Sequence, residues 1–208
     1  MSVITEISPK KGNKKRFCVY VDGQFTCFLD EFSIYKYKLK VGTEISGEKL
    51  QEIQLECEQG TAFDVAIKYL SKYIKTEKEL RQYLYDKGYM PAVVNVVMQK
   101  VLDYGYLSDK NLAKTYASQQ QNKYGKNKIK FMLKSRGVND ENIEEALEQI
   151  KNQEEAALQL ALKHLKNKEK TKENMQKTSK YLFGKGFVWE DISRAMNKIG
   201  KEWEDENW

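Results

Sequence analysis

From Phe63 onward the apolar residues recur at helical spacing. Phe63, Ile67, Leu70 and Ile74 stand at i, i+4, i+7 and i+11, which lines one face of a helix. Thr76 with Glu79 forms a capping box that starts a second helix carrying Leu80 and Leu84, because the hydroxyl and the carboxylate can each take an unpaired N–H of the first turn. Gly88 stops that helix, and Pro91 suits the first turn of a third, with Val94, Val97 and Val101 facing inward.

The same pattern returns twice. Gly88, Gly137 and Gly186 are 49 residues apart, and Leu84, Leu133 and Leu182 stand four positions before them. After each glycine come Val94, Ile143 and Ile192, then Val97, Ala146 and Ala195, then Val101, Ile150 and Ile199, again at one period. Columns of one residue character at a fixed spacing mark tandem supersecondary units: a first helix, a second ending in a left-handed glycine cap, and a third packing back. Neighbouring units bury their apolar faces on one another, so the expected fold is mainly α, with tandem three-helix repeats forming a curved elongated solenoid. The run "KNKEKTKENMQK" in the third unit reads as a loop or a frayed helix end.

The N-terminal region has a different period. "KKRFCVYVDGQFTCFLDEF" places two apolar, β-branched and aromatic runs around Asp22-Gly23, which predicts a small N-terminal β-hairpin with a two-residue turn. A regular register puts Phe17, Val19, Val21 and Phe28 on one face and Cys18, Tyr20, Phe25 and Cys27 on the other, with Cys18 opposite Cys27 in a geometry that admits a disulfide. Both faces are apolar, so the hairpin must pack on helices or offer a face to a partner. A short helix ending near Gly42 and an acidic connector through Glu44, Glu48, Glu52, Glu56 and Glu58 follow, and Gly60 reads as a boundary. The expected organisation is therefore 1–60 for hairpin, short helix and connector, 61–107, 108–152 and 153–201 for the three repeats, and 202–208 for a tail.

Composition narrows the function classes. The chain has 208 residues, 36 Lys and Arg against 30 Asp and Glu, and a net charge of +6, so the distribution of charge matters more than its sum. No run of about 18 apolar residues and no signal-peptide core is present, which leads to the expectation of a cytoplasmic protein. Three cysteines, Cys18, Cys27 and Cys57, and the single His164 do not supply a structural zinc site, and nothing else points to an oxidising compartment. "GKGFVW" carries Trp189 where a dinucleotide fingerprint needs glycine and follows no strand, and "YGKNK" lacks the Lys-Ser/Thr of a P-loop. His164 reads as a solvated surface residue, and Asp109, Glu190 and Asp191 stand at helix starts, where carboxylates favour the dipole. The expectation is no enzyme, no cofactor and no metal.

Charge is concentrated instead. Lys110, Lys114, Lys123, Lys126, Lys128, Lys130, Lys134 and Arg136 form a run without one acidic residue, while Asp140, Glu141, Glu144, Glu145 and Glu148 follow it directly. The residue before each repeat glycine, Lys87, Arg136 and Lys185, is also basic, as helix C-termini favour. Nine of the 13 tyrosines lie between Tyr69 and Tyr124, interleaved with these cations, an arrangement open to core packing, base stacking or a protein hot spot.

Three passages, "AIKYLSKYIKTEKELRQYLYDKGY", "VLDYGYLSDKNLAKTYA" and "KYGKNKIKFMLKSRGV", make the chain resemble the RecX family, the bacterial regulators of the recombinase RecA. The Thr-Glu-x-Glu-Leu start, the Gly-Tyr-Leu-x-Asp…Ala element and the Lys-x-Gly…Leu…Gly element stand in the family's order, and "VYVDGQF" is similar to the N-terminal extension of its Gram-positive members. The resemblance implies a non-enzymatic modulator, mainly an inhibitor, that docks on the RecA filament on single-stranded DNA, limits its growth and ATPase, and acts as a monomer. The family brings no catalytic motif. The expected contacts are Lys123, Lys126, Lys128, Lys130, Lys134 and Arg136, with Lys87 and Lys185 beside them. Two other classes stay open: a nucleic-acid-binding helical protein with weak, salt-sensitive DNA binding, and an adaptor for another protein.

Overall fold

The structure, a computed structural model, describes residues 2–169 and 171–205. The chain divides into two compact units, Met1–Tyr73 with Leu80–Tyr106 and Ile74–Glu79 with Leu107–Trp208.

In the first unit, β1 (Ser2–Lys10), β2 (Asn13–Val21), β3 (Gln24–Asp30) and β4 (Glu44–Ile45) form one antiparallel sheet in the order β3-β2-β1-β4. The expected hairpin is thus half of a four-stranded sheet. Its partner β1 carries little strand signal because Pro9 and the polar Thr5, Glu6 and Ser8 interrupt the apolar alternation. Pairing stabilises it nonetheless: Gly23 N–H donates to Thr5 Oγ1 at 3.0 Å and Val3 N–H to Asp22 Oδ1 at 2.9 Å, so β1 also holds the turn.

Asp22 and Gly23, both at positive φ, make the expected two-residue turn. The register then departs from the regular one. A bulge after Tyr20↔Phe25 leaves Thr26 unpaired, so Val19 faces Cys27 and Cys18 faces Phe28. Cys18 and Cys27 are therefore not opposite each other, and all three cysteines are free. The slip carries Cys27 and Leu29 onto the buried face with Ile4 and Val19, while Phe28 joins Phe25 and Tyr20 on the other. Burial and the neighbouring Cys57 push the Cys27 thiol up to about 11, so it packs as an apolar side chain.

Helix α1 (Glu31–Lys36) is capped by Asp30, whose Oδ1 accepts the Ser33 N–H at 2.7 Å. It ends at Lys36 rather than near Gly42, because Lys38 adopts a left-handed conformation. Helix α2 (Gly47–Leu70) then runs straight through Gly60. Its first half buries Leu50, Ile53 and Cys57 against the sheet, and its second buries Ala62 and Ala66 in the first repeat. At about 100° per residue these two sets lie on roughly opposite sides of one helix, so the apolar stripe changes phase without a break in the backbone. The repeat is completed by α3 (Glu77–Asp86) and α4 (Pro91–Asp103), the latter packed against α2.

The second repeat comprises α5 (Asp109–Gln120), α6 (Lys126–Ser135) and α7 (Asp140–Glu148), and the third α8 (Gln153–Leu165), α9 (Lys172–Gly184) and α10 (Trp189–Asp205). Gly88, Gly137 and Gly186 all have the positive φ that their left-handed caps require. Every residue in the periodic Leu, Val/Ile and Val/Ala columns is buried. The "KNKEKTKENMQK" run is not all loop: Thr171 caps α9 by accepting the Asn174 N–H at 3.2 Å, and Lys172 begins the helix. The backbone of α10 continues through 202–205, part of the expected tail; residues 206–208 lie outside the described residues.

Within the second unit one joint occurs twice. Thr76 Oγ1 donates to Arg136 O at 2.8 Å, and one period later Gly125 N–H donates to Lys185 O at 3.0 Å. Glu77 N–H donates to Asp109 Oδ1 at 2.9 Å, and Lys126 N–H to Gln153 Oε1 at 3.1 Å. Asp109 and Gln153, each the first residue of a repeat's opening helix, are only 8% and 7% exposed. Their side chains satisfy helix-start N–H groups from the preceding segment. Asp109 does more than favour its own helix dipole. Burial raises its carboxyl above the usual range, partly offset by the Glu77 N–H.

Candidate basic interface

The charge separation in the sequence is largely closed by tertiary contact. Helix α7 turns its carboxylates back on the basic helices: Glu145 lies 2.9 Å from Lys110 and 2.8 Å from Lys114, Glu144 pairs with Lys130, and Asp140 sits 3.1 Å from Lys134. The Glu145 carboxyl is held below the usual range by hydrogen bonds from Lys114 and Lys110. Four cations of the run are thus neutralised within their own repeat.

Arg136 is engaged differently. Its Nε donates to Glu79 Oε1 at 2.9 Å, and its Nη2 donates to Glu79 Oε2 and to Ile74 O, both at 3.0 Å, while the guanidinium lies 5.7 Å from the Tyr116 ring centre. Glu79 also accepts the Thr76 N–H at 3.0 Å, and Thr76 Oγ1 accepts the Glu79 N–H at 3.2 Å, which is the capping box expected from the spacing. Burial pushes the Glu79 carboxyl up, but Arg136, the Thr76 N–H and Lys75 outweigh it and hold the carboxyl below its usual range.

Three cations of the run keep no carboxylate within ion-pair distance among the described residues: Lys123, Lys126 and Lys128. Lys126 and Lys128 lie on the segment that meets Lys185 and Gly186 where the second and third repeats join. Gly125 and Asn127 donate backbone N–H groups to Lys185 O and Gly186 O, so the segment 123–128 lies against 185–186. Lys185 Nζ sits 5.1 Å from the Tyr124 ring centre, and Lys128 Nζ 5.3 Å from that of Phe131, an aromatic 65% exposed. Burial raises the Asp191 carboxyl above its usual range, and Arg194 and, more weakly, Lys126 partly offset it. Three lysines without an ion pair, a fourth over a tyrosine and an exposed phenylalanine thus stand close together in sequence or across this joint. Phe131 was not among the sequence candidates. Its signal is an aromatic on α6 set off the Ile129–Leu133 stripe, where solvated helix positions usually hold polar residues.

The basic residue before each repeat glycine has a recurring place. Lys87 Nζ lies 5.3 Å from Tyr83, Arg136 lies over Tyr116, and Lys185 lies 5.4 Å from Tyr181 as well as over Tyr124. These rings belong to a repeated pair between first and second helices: Tyr69 stacks on Tyr83 at 3.8 Å, Tyr116 hydroxyl meets Met132 Sδ at 3.3 Å, and His164 stacks on Tyr181 at 4.4 Å. In each repeat a cation thus lies over one ring of a first-to-second-helix contact, a role beyond dipole compensation.

His164 is consequently not a free surface histidine. Thr178 Oγ1 donates to Asn174 O at 2.8 Å, so it accepts from His164 Nδ1–H at 2.9 Å, and His164 Nε2 is left to accept from Lys168 Nζ at 2.9 Å. Burial, then the Lys168 charge, lowers its pKa below 6.5. The unfolded chain therefore binds the extra proton first, and stability is complete above about pH 6.5 and falls as pH drops through the folded value. Urea midpoints at pH 7.5 and 5.5 should differ for the natural chain, and His164→Phe, which keeps the stack, should flatten that difference. Equal pH dependence in both proteins counts against the neutral assignment.

These features define a class: a protein of three tandem three-helix units preceded by a small sheet. The comparisons place it within one family. Residues 2–46 match the regulatory protein RecX N-terminal domain, and residues 62–100, 108–147 and 152–196 match the first, second and third three-helix domains of RecX. Regulatory protein RecX of Bacillus velezensis is 35% identical over 99% of this chain and 81% of its own length, and that of Clostridium acetobutylicum is 32% identical over 97% and 98%. A crystal structure of a regulatory protein RecX, 24% identical, superposes with a TM-score of 0.74 over 95% of this chain and all of the other. RecX from Lactobacillus salivarius, also 24% identical, gives 0.64 over 69% of this chain and 97% of that one. The chain belongs to the RecX family. Among the described residues no helix is long and apolar enough to cross a membrane.

Proposed function

We propose that this protein is a non-enzymatic modulator, mainly an inhibitor, of the recombinase RecA, acting in the cytoplasm as a monomer on the RecA filament assembled on single-stranded DNA. It limits filament growth, ATPase and recombinase activity. The observation that carries this reading is the selective neutralisation of the basic run, which leaves Lys123, Lys126 and Lys128 free beside Lys185, Tyr124 and Phe131. Unpaired ammonium groups next to exposed rings suit a phosphate backbone with unstacked bases, or an acidic protein groove that follows such a strand. Lys130, Lys134 and Arg136, with Lys87, serve the fold first and contact the partner second.

The test is a titration against the ATPase of RecA on single-stranded DNA, beside binding to the same DNA alone. The natural chain should inhibit at concentrations well below those that coat naked DNA. Lys123→Glu with Lys126→Glu and Lys128→Glu should keep its helicity and weaken inhibition by about 30-fold or more, and the salt slope of binding should fall by about 2 if three phosphates are contacted. Lys130→Glu with Lys134→Glu should change inhibition less. Inhibition that appears only as the DNA is covered would instead support a general nucleic-acid-binding role. Duplex readout by the helix after the first two turns is disfavoured, because α4 carries a single cation, Lys100, and α7 carries acids but no cation.

A further inference from the structure

Helix α1 is much shorter than the strands it packs on. Strands β1 and β2 have nine residues each, about 30 Å, whereas α1 has six residues, about 9 Å. The covered part of the sheet's inner face holds Ile4, Val19, Cys27 and Leu29, packed with Leu50, Ile53 and Cys57 of α2. Beside them on the same face stand Ile7, paired with Val19, and Phe17, paired with Leu29, and with Ile34, Tyr35 and Leu39 these two line an open groove of about 630 Å³. Tyr35 stands at its mouth, 84% exposed.

The rim is cationic. Lys36 is balanced by Glu56, but Lys38 and Lys40 have no carboxylate within ion-pair distance among the described residues, and Glu31 is the one acid in the lining. We propose that this groove is a docking site for an acidic peptide segment of a protein partner, with an aromatic or branched aliphatic side chain seated on Ile7 and Phe17 and carboxylates meeting Lys38 and Lys40. The shape favours a peptide over a nucleic acid. Strand binding needs flat ring faces along a basic track, and here the floor is concave and mostly aliphatic with one exposed ring. The volume falls within the range of about 300–1,000 Å³ in which concave sites bury most of a ligand.

The site is separate from the lysines on which the RecA reading stands, and the experiment keeps the two apart. The probe is a fluorescein-labelled octapeptide, Asp-Glu-Asp-Phe-Leu-Asp-Glu-Asp, followed by anisotropy against the full chain. Saturable binding is expected, about tenfold or more weaker when Phe-Leu is replaced by Ser-Ser, since burying one large apolar side chain corresponds to about 10- to 100-fold. Tyr35→Ser should weaken it. Lys40→Glu combined with Lys38→Asn, which tolerates the left-handed backbone at that position, should weaken it by about fivefold. The Lys123, Lys126 and Lys128 charge-reversal variant should bind the peptide as the natural chain does. Equal binding of the Ser-Ser peptide would reduce the effect to general charge attraction and overturn the proposal. So would competition by a labelled oligothymidylate that the groove substitutions abolish, which would make the groove a nucleic-acid site. A dimer by sedimentation that Tyr35→Ser dissolves would make the occupant a second copy and overturn it as well.

Discussion

Gly125→Ala should disrupt the joint between the second and third repeats. A Cβ on Gly125 would stand 2.2 Å from both Gly186 O and Phe187 N, and these are backbone atoms that cannot rotate away. Gly125 N–H is also the donor to Lys185 O, so moving the segment to relieve the clash breaks that bond and pulls Lys126 N–H from Gln153. Overpacking of this kind costs about 3 kcal/mol or more where the neighbour is main chain, equivalent to a fall of about 6–12 °C in the melting midpoint. Gly186→Ala should be equally severe, because its φ of +88° is strained for alanine and its Cβ would lie 2.4 Å from Lys128 N. Gly60→Ala is the internal contrast: it lies inside α2 with nothing within 4 Å, so it should raise stability by about 0.5–1 kcal/mol. Thermal melts followed by circular dichroism decide all three, and an undiminished midpoint for Gly125→Ala would mean that the repeats do not meet at this contact.

Arg136→Ala should lower stability by about 1.5–3 kcal/mol, scaled down from a fully buried pair because both side chains keep about a quarter of their exposure. The loss has three parts: a bidentate pair with Glu79, a hydrogen bond to Ile74 O and the packing on Tyr116. Arg136→Lys should recover little, since one ammonium cannot span both carboxylate oxygens and the carbonyl. Glu79→Gln should lose a similar amount, and the double variant less than the sum. Linkage supplies a second readout. The folded Glu79 carboxyl lies below its unfolded value, so its contribution is present above about pH 4.5 and is lost as pH falls through the folded value. The gap between natural chain and Glu79→Gln in urea midpoint should therefore narrow below pH 4. A variant that keeps its stability but loses partner binding would instead make Arg136 a contact residue.

The periodic glycines, the leucine four positions before each and the aliphatic columns after each specify the helical repeats by local chemistry alone. A left-handed cap needs glycine, and a buried stripe needs apolar residues at helical spacing. Those positions could be read in the chain because each constraint acts within one helix or one turn. The family membership was legible for the same reason, in motifs that stand in order along it.

Other features depend on partners distant in sequence. The bulge at Thr26 moved Cys27 from one face of the sheet to the other, and the drive for it is burial against α2, which no pairing rule inside the hairpin contains. Strand β1 forms because β2 and β4 complete its hydrogen bonds, not because its own alternation is strong. Helix α2 looked divided at Gly60 because its two halves serve different cores on opposite sides. The basic run reads as one uniform patch, yet folding pairs Lys110, Lys114, Lys130, Lys134 and Arg136 with carboxylates and leaves Lys123, Lys126 and Lys128 free. Sequence by itself determined the repeat and its caps, since backbone conformation and helical burial are local. Only the tertiary structure decided which charges remain, since neutralisation depends on distances of a few ångströms between residues up to 57 positions apart.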